Sequence, residues 1–306
     1  MIDLRRLRIL RAVSHYGTVT AAAEALHFTP SAASQQIRQL GRELGVTLLE
    51  PQGRGVRLTT AAQSLLEHAD AIEARWELAE NQLRDVGTEP AGTLRVAGFP
   101  VAMSRLLAPM TAALRDQYPR LTVTLREAEP GHCLDLLFQG EIELAVIEAS
   151  PSTPPRTDPR FDQEPLLDEE LDLVVPDGHR LAGDDGNPSV ELCEAAQEPW
   201  ILPSPGTTCH AHAMSACGAA GFTPEGAHQA LDWGVCATLV AHGLGVALIP
   251  RLADFSPALP VTRVRLRGRP APARKLLTCT RPGGRERPAV AAALAELDKI
   301  APAAVA

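Results

Sequence analysis

The sequence predicts an α/β protein in three parts: a small α+β head, one long helix, and a larger body in which strands alternate with helices. Three observations support this division. Apolar residues at helical spacing fill the first 44 residues. Residues 58–86 carry an unbroken heptad pattern. From residue 92 onward, short apolar segments typical of strands alternate with helical ones.

The composition indicates a globular chain of two or three domains. The chain has 306 residues, of which 45% are hydrophobic, but it contains no apolar run long enough for a membrane span and no signal-peptide pattern. The six cysteines form no CxxC pair, which argues against a disulfide framework or a structural zinc site. Arginine greatly outnumbers lysine, a bias typical of a high-GC genome. We therefore expect a cytoplasmic bacterial protein without membrane contact.

The net charge of −8 is unevenly distributed. Residues 1–60 contain eight arginines against four acidic residues, a net charge of +4, which leaves −12 for the rest of the chain. A basic head on an acidic body is expected when only the head meets the phosphates of a nucleic acid.

Local signals divide the head into three helices. The apolar pattern of residues 4–13 predicts the first helix, and Gly17 ends it. Thr18 predicts the N-cap of a second helix. Thr29 followed by Pro30 combines a capping residue with a proline at the first helical position, which predicts the start of a third helix.

The third helix has one apolar and one polar face. Ala33, Ile37 and Leu40 recur at helical spacing, while Arg38 and Arg42 lie on the opposite side. Two short helices joined by a tight turn, the second with a polar and basic outer face, are typical of a helix-turn-helix.

A predicted β-hairpin follows this helix. Residues 46–50 and 54–59 have strand character and flank the turn-forming residues 51–53, with Arg54 near the tip. The hairpin predicts the wing of a winged helix-turn-helix.

The predicted DNA contacts lie at the start of the third helix, along its outer face and in the wing. Short hydroxyl side chains at a helix N-terminus suit phosphate, whereas Gln35 and Arg38 can reach base edges in the major groove. The full set is Thr29, Ser31, Ser34, Gln35, Arg38 and Arg54.

The long helix carries the clearest periodicity of the chain. Nine apolar positions from Leu58 to Val86 alternate spacings of four and three residues, which is the seam of a coiled coil. Self-pairing into a dimer is the simplest way to cover such a seam, and packing against the chain's own body is the alternative. The predicted dimer contacts are Leu65, Ala69, Ile72, Trp76 and Leu83.

Repeated strand–helix units predict open, largely parallel sheets in the body, with ligands bound beyond the carboxyl ends of the strands. The predicted strands are 93–97, 121–126, 144–147, 171–176, 200–202, a segment near 228–232, and 246–249. The predicted helices are 103–117, 132–139, 208–220 and 234–242.

Several short segments form a specific combination, although each is weak alone. In the head they are Thr18–Phe28, Ser31–Ile37 and Gly53–Thr59, and in the body Tyr118–Pro119, Gly140–Val146, Ala220–Pro224 and Leu239–Pro250. With this combination the sequence resembles the LysR-type transcriptional regulators over essentially its whole length.

The resemblance implies a domain organisation. It predicts a winged helix-turn-helix over residues 1–58, a linker helix over 59–88, and an effector-binding domain over 92–306 with a two-subdomain, periplasmic-binding-protein-like fold. Subdomain I would comprise about 92–163 plus 268–300, and subdomain II about 164–267.

The resemblance also implies partners. They are double-stranded DNA, a second copy of the chain in a homodimer or homotetramer, a small-molecule effector bound between the subdomains, and RNA polymerase. No cofactor is expected. The identity of the effector, the operator sequence, and the choice between activation and repression stay open.

The expected effector site combines this resemblance with local geometry. Helices that start after Phe99 and around Thr207 present free N–H groups to the cleft, and the ends of other strands add further residues. The predicted site residues are Phe99, Pro100, Val101, Ala128, Glu129, Thr207, Thr208, Asp232 and Trp233.

The head departs from the family's usual pattern at several positions. Pro30 stands where most relatives carry a glutamine, and Pro51 where the wing usually has an arginine. Gln35 and Gln36 are the amides left to replace the missing one. Gly41 takes the place of a usual glutamate. We therefore expect the DNA-binding activity to be shared with the family more closely than the operator preference.

Three alternatives remain open. Peroxide-sensing relatives carry a cysteine pair in the region of Cys209 and Cys217, but in one helix these residues would lie about 12 Å apart, too far for a disulfide. A solute-binding protein or an enzyme with an accessory winged helix would also explain the body. The sequence contains no phosphate loop, GxSxG or HExxH motif. We therefore predict a regulator and not an enzyme.

Overall fold

A computed structural model of the chain describes residues 3–52, 55–84, 89–183, 189–268 and 271–304. Two predicted site features fall outside this description. They are Arg54 in the wing and the side chain of Leu83 in the long helix.

The head has the three predicted helices and the hairpin. Its elements are α1 (Leu4–Tyr16), α2 (Val19–Ala25), α3 (Pro30–Leu44), β1 (Leu49–Gln52) and β2 (Gly55–Leu58). The Thr18 hydroxyl accepts a hydrogen bond from the Ala21 N–H at 3.1 Å, and the Thr29 hydroxyl one from the Ala32 N–H at 3.2 Å. Both predicted N-caps are therefore confirmed. Pro51 pairs with Val56 inside the hairpin ladder, so the strands extend further towards the tip than the sequence predicted.

The first part of the apolar seam of the long helix α4 (Thr60–Arg84) packs against other residues of the same chain. Ala62, Leu66 and Ala69 are buried in the core of the head, where α4 contacts α1. Ile72 and Trp76, further along the helix, are 40% and 51% exposed. The interpretation of Ala69 as a dimer contact is therefore corrected, since the head already covers this side chain. The exposed positions beyond it are free to meet another surface.

The body contains ten further strands and six further helices among the described residues. In its first part these are β3 (Gly92–Gly98), α5 (Pro100–Ala102), α6 (Ala108–Gln117), β4 (Leu121–Glu127), α7 (Pro130–Gln139) and β5 (Leu144–Glu148). A π-helical stretch, Met103–Leu107, joins α5 to α6. The remaining elements are β6 (Asp162–Pro176), β7 (Ser189–Glu191), β8 (Pro199–Leu202), α8 (Thr208–Ala219), β9 (Glu225–Gln229), α9 (Trp233–Ala241), β10 (Ala247–Pro250), β11 (Val261–Arg267), β12 (Ala273–Thr280) and α10 (Pro288–Ala304).

The sheets are mixed and not largely parallel. Strand β3 runs parallel to β4 and β5, as the strand–helix alternation predicted. Strand β6 is antiparallel to β10, β11 and β12, and β12 is also antiparallel to β5. The strands missed by the sequence analysis are the first half of β6 and the whole of β7, β11 and β12. Charged residues such as Glu169 and Arg274 occur in these segments, which hides their apolar pattern.

The strand β6 belongs to both lobes of the body. Its first part, Asp162 to Glu170, pairs with β12 in the sheet of subdomain I. From Leu171 onward it pairs with β10 and then β11 in subdomain II. The expected crossing at residue 164 is therefore corrected to Glu170–Leu171, because the hydrogen-bond partners change there. The chain returns to subdomain I between β11 and β12.

Gly41 in α3 allows the hairpin segment to approach the helix closely. A Cβ atom at this position would lie 2.6 Å from the carbonyl oxygen of Val46, a contact that no real Cβ atom tolerates. The Val46 N–H donates to the carbonyl oxygen of Gly41 at 2.9 Å, which fixes this approach. The backbone of the turn after α3 therefore occupies the space that a glutamate side chain would need.

We predict that Gly41→Ala lowers the free energy of unfolding by about 1–3 kcal/mol, because the new methyl group overpacks this contact. Gly218→Ala is the matched control: it is also helical, but its Cβ would meet no atom within 4 Å. This variant should be as stable as the original chain or gain up to about 1 kcal/mol. Urea denaturation of both variants measures the difference, and an equally stable Gly41→Ala variant would refute the close contact.

Candidate DNA-binding face and effector cleft

The helix α3 presents one exposed stripe to solvent. Ala33, Ile37 and Leu40 are fully buried against the rest of the head. On the other side, four residues at spacings of four, three and four are exposed, namely Ser31, Gln35, Arg38 and Arg42. The stripe contains three of the six predicted DNA contacts, and Arg42 joins them as a second cation.

The other predicted contacts on this helix are less available. The hydroxyl of Thr29 caps α3 and lies 3.1 Å from that of Ser31. Ser34 is half-buried at the edge of the stripe. The structure therefore brings Thr29, Ser31, Gln35 and Arg38 to one side of the head and leaves Ser34 at its margin.

Gln36 serves a different purpose from its neighbour Gln35. Its Oε1 accepts a hydrogen bond from the Arg6 Nε of α1 at 3.0 Å, and Arg6 also forms an ion pair with Glu43. Hydrogen bonds from Gln39 and Arg6 lower the pKa of Glu43. Gln36 therefore holds α3 on α1, and only Gln35 is left to replace the missing amide.

The predicted effector residues differ in exposure. Phe99, Val101 and Ala128 are buried, whereas Pro100 and Glu129 are exposed. Two others act as helix caps. The Thr207 hydroxyl caps α8 through the His210 N–H, and the Asp232 carboxylate caps α9 through the Val235 N–H.

Thr208 and Trp233 are half-buried. Trp233 lines a small cavity of about 10 Å³ together with Glu148, Cys209, His212 and Arg274. The Phe99 ring lies beneath the Arg274 guanidinium, 5.1 Å from ring centre to carbon. The predicted residues Phe99 and Trp233 therefore meet around a cation that the sequence analysis did not identify.

A buried network of charges crosses the cleft. The Nε of Arg274 donates to Glu169 at 2.7 Å, and its Nη1 donates to Glu148 at 3.0 Å. The other oxygen of Glu148 lies 2.8 Å from Nε2 of His212 on α8. Glu169 also accepts a hydrogen bond from the Leu252 N–H at 2.7 Å. Because His212 belongs to subdomain II and Glu148 to subdomain I, this contact joins the two lobes.

Sequence reasoning missed this network because each member is ambiguous by itself. Glu169 stands in an acidic run that looks solvent-exposed, and Arg274 lies in a segment that was not recognised as a strand. The structure pairs them directly opposite each other in the β6–β12 ladder. Burial by itself would lower the pKa of Arg274, but the carboxylates of Glu169 and Glu148 outweigh this effect and raise the pKa.

The thiols near the cleft are poorly suited to redox chemistry. Burial, with a contribution from Glu148, raises the pKa of Cys209 to about 12. Burial also raises the pKa of Cys217 to about 12. A thiol reacts with peroxide as the thiolate, so both groups are held in the unreactive form. Both cysteines lie in the continuous helix α8, so a disulfide between them would require that helix to unwind.

The head contacts subdomain I through the end of α1. The imidazole of His15 stacks on the Phe138 ring of α7 with centres 4.4 Å apart, and its Nε2 lies 2.8 Å from the Asp135 carboxylate. Arg160 lies against Nδ1, and since arginine can only donate, Nδ1 accepts and Nε2 carries the proton. The Tyr16 hydroxyl accepts from the Gln139 amide at 2.9 Å. We call this set of contacts the head–body junction.

No helix within the described ranges is both long and apolar enough to cross a membrane. Over the same ranges, no group of three or more histidine, cysteine, aspartate or glutamate side chains is arranged to hold a metal ion.

A helix-turn-helix head with an exposed polar stripe, attached to a two-lobed α/β body with a central cleft, defines the class of ligand-responsive DNA-binding regulators. Comparison with known proteins identifies the family. The profile of the bacterial regulatory helix-turn-helix protein, lysR family, matches residues 4–63, and that of the LysR substrate binding domain matches residues 87–301. The chain belongs to the LysR family of transcriptional regulators.

Individual relatives cover most of the chain. The transcriptional dual regulator GltC of Bacillus subtilis is 27% identical over 266 residues, which cover 87% of this chain and 86% of that protein. A hydrogen peroxide-inducible genes activator of Pectobacterium carotovorum is 27% identical over 290 residues, covering 92% of this chain and 91% of the relative. The structure of a mutant OxyR of Corynebacterium glutamicum has a TM-score of 0.62 at 23% identity, with 99% and 92% of the two chains covered. This structure supports the fold.

We predict that Cys209 reacts slowly with thiol reagents at neutral pH, because its raised pKa leaves almost no thiolate. Cys193, which is exposed, is the internal control. Labelling with a disulfide reagent at pH 7 followed by peptide mapping should modify Cys193 first. Rapid oxidation of Cys209 by hydrogen peroxide would restore the redox-sensing alternative.

Proposed function

We propose that this regulator binds an operator in double-stranded DNA through the exposed stripe of α3, with a small-molecule effector in the cleft controlling that binding. The observation that carries the proposal is the stripe itself, which faces away from the core and combines Gln35 with the cations Arg38 and Arg42. We propose no catalytic activity for the chain.

Each group on the stripe suits one part of a DNA duplex. Gln35 and Arg38, about one and two turns into the helix, match the base edges of the major groove, with the amide suited to adenine and the guanidinium to guanine. Ser31 and the Thr29 cap lie at the helix N-terminus, where hydroxyl and backbone N–H groups suit a phosphate. Arg54 of the wing remains a proposed contact to the backbone or the minor groove.

LysR regulators form oligomers, and we propose that this chain pairs through the exposed part of α4. Ile72 and Trp76 are large apolar side chains left in solvent on a long helix, and a second copy would cover both. Paired heads would read a dyad-symmetric operator. Contact with RNA polymerase is proposed on family membership alone, and the proposed site of action is the cytoplasm because the chromosome lies there.

The helix α7 supplies a mechanical connection between cleft and head. It begins directly after Ala128 and Glu129 at the cleft and ends at Gln139 in the head–body junction. A helix of ten residues is about 15 Å long and moves as a rigid rod. We therefore propose that a change of the cleft reaches the head through α7.

We predict that Arg38→Ala weakens operator binding by about 1–3 kcal/mol, because a bidentate contact to a base is lost. The measurement is fluorescence anisotropy with the DNA upstream of the chain's own gene, at several salt concentrations. The control is Arg115→Ala on α6, an exposed arginine of the body. Equal affinities of both variants and the original chain would exclude the α3 stripe as the reading face.

We predict that Asp135→Ala loosens the head–body junction, because Nε2 of His15 loses its hydrogen-bond partner. A bond of this kind contributes about 1 kcal/mol, so amide hydrogen exchange at the end of α1 should rise about fivefold. Asp116→Ala, an exposed acidic residue of α6, serves as the control and should leave exchange in α1 unchanged. Unchanged exchange in the Asp135 variant would show that the junction does not hold the head.

A further inference from the structure

The cleft between the lobes contains a small, partly apolar and partly charged cavity. Leu171, Leu248 and Trp233 form its apolar walls, and Glu148 and Arg274 form its polar side. Its volume of about 10 Å³ holds roughly one water molecule. An effector larger than water needs more room at this cavity, and the contact between the lobes that stands in its way is the one between Glu148 and His212.

Three buried polar atoms at this cavity lack a hydrogen-bond partner within the described structure. They are Oε1 of Glu148, Nη2 of Arg274 and Nε2 of His212. Glu148 and His212 approach to 2.8 Å, but their alignment is not that of a hydrogen bond. The side chains of Glu148 and Arg274 are only 3% and 2% exposed, so leaving these atoms unsatisfied is costly. The cavity therefore offers one strong acceptor and one strong donor to a ligand.

The charge around the cavity is negative. Arg274 is the fixed cation, and it is already shared by Glu148 and Glu169. Glu129, which precedes α7, adds a third carboxylate that is near enough to Glu148 to repel it. Partial burial raises the pKa of Glu129, and repulsion from Glu148 and Glu127 raises it further. A ligand carboxylate placed here would add to this repulsion, whereas a cation would relieve it.

We propose that the effector is a small organic amine, whose ammonium group binds Glu148 in place of His212 while a neighbouring acceptor atom binds Nη2 of Arg274. This inference rests on the proposed function, since it takes the cleft as the effector site. Glu129 attracts the ammonium group at the entrance, and the apolar walls with Trp233 accommodate the hydrocarbon part. Binding breaks the contact between the lobes at His212 and moves the start of α7.

Three phenyl compounds of similar size test the charge of the ligand. Benzylamine, benzyl alcohol and benzoate carry a cationic, a neutral and an anionic group, respectively. Isothermal titration calorimetry and thermal shift are measured on the full chain at millimolar probe concentrations. We expect benzylamine to bind and raise the melting temperature, benzyl alcohol to bind more weakly, and benzoate to have no effect. Tighter binding of benzoate, or no binding of benzylamine, overturns the proposal.

Two variants locate the binding. Glu129→Gln should lower the affinity for benzylamine about fivefold, as expected for the loss of a partly exposed ion pair. Glu141→Gln, just beyond the opposite end of α7, is the matched control and should bind benzylamine normally. Glu148→Gln should abolish binding, and the Glu129 variant keeps the test valid if the Glu148 variant fails to fold. Benzylamine binding that survives both cleft substitutions lies elsewhere and also overturns the proposal.

DNA retardation with the same preparation separates this inference from the proposed function. A chain that binds DNA but not benzylamine contradicts only the amine effector. A chain that fails to retard DNA at low salt contradicts the regulator itself.

Discussion

The buried guanidinium of Arg274 is the interaction on which the arrangement of the body depends. It lies between Glu169 on β6 and Glu148 on β5, close to the point where β6 passes from one lobe to the other. Two carboxylates at this depth need a cation beside them, because the desolvation of each ion costs several kcal/mol. The same residues form one side of the cleft. The groups that join the lobes are therefore the ones that we propose a ligand contacts.

This arrangement links the cleft to the DNA-binding head. Glu148 contacts His212 across the cleft, and α7 runs from the neighbouring Glu129 to the stacked pair of Phe138 and His15. A ligand can change the equilibrium position of the head only by the difference between its binding free energies for the open and the closed cleft. We propose the Glu148–His212 contact as the source of that difference, because it exists only when the lobes meet. The buried thiols of α8, in contrast, offer no comparable chemistry.

The sequence predicted the head more completely than the body. The capping residues Thr18 and Thr29 act on backbone groups three residues away, so local sequence is sufficient to place them. The parallel strands β3 to β5 were predicted equally well, since each is a short apolar run. The strand β12 was missed because Arg274 and Lys275 interrupt its pattern. Its pairing with β6 joins residues more than a hundred positions apart, which no local signal reveals.

The sequence by itself determined the family, the polar stripe of α3 and the heptad seam, because each depends on the types and spacing of residues that are close in the sequence. Only the tertiary structure decided how these features are used. It showed that Ala69 is covered by the head. It also showed that Gln36 binds Arg6 of α1 and is not available to a DNA base. Finally, it placed Phe99 and Trp233 near Arg274. The physical reason is burial. Whether a charge is paired or a seam is covered depends on distant segments that only the folded chain brings together.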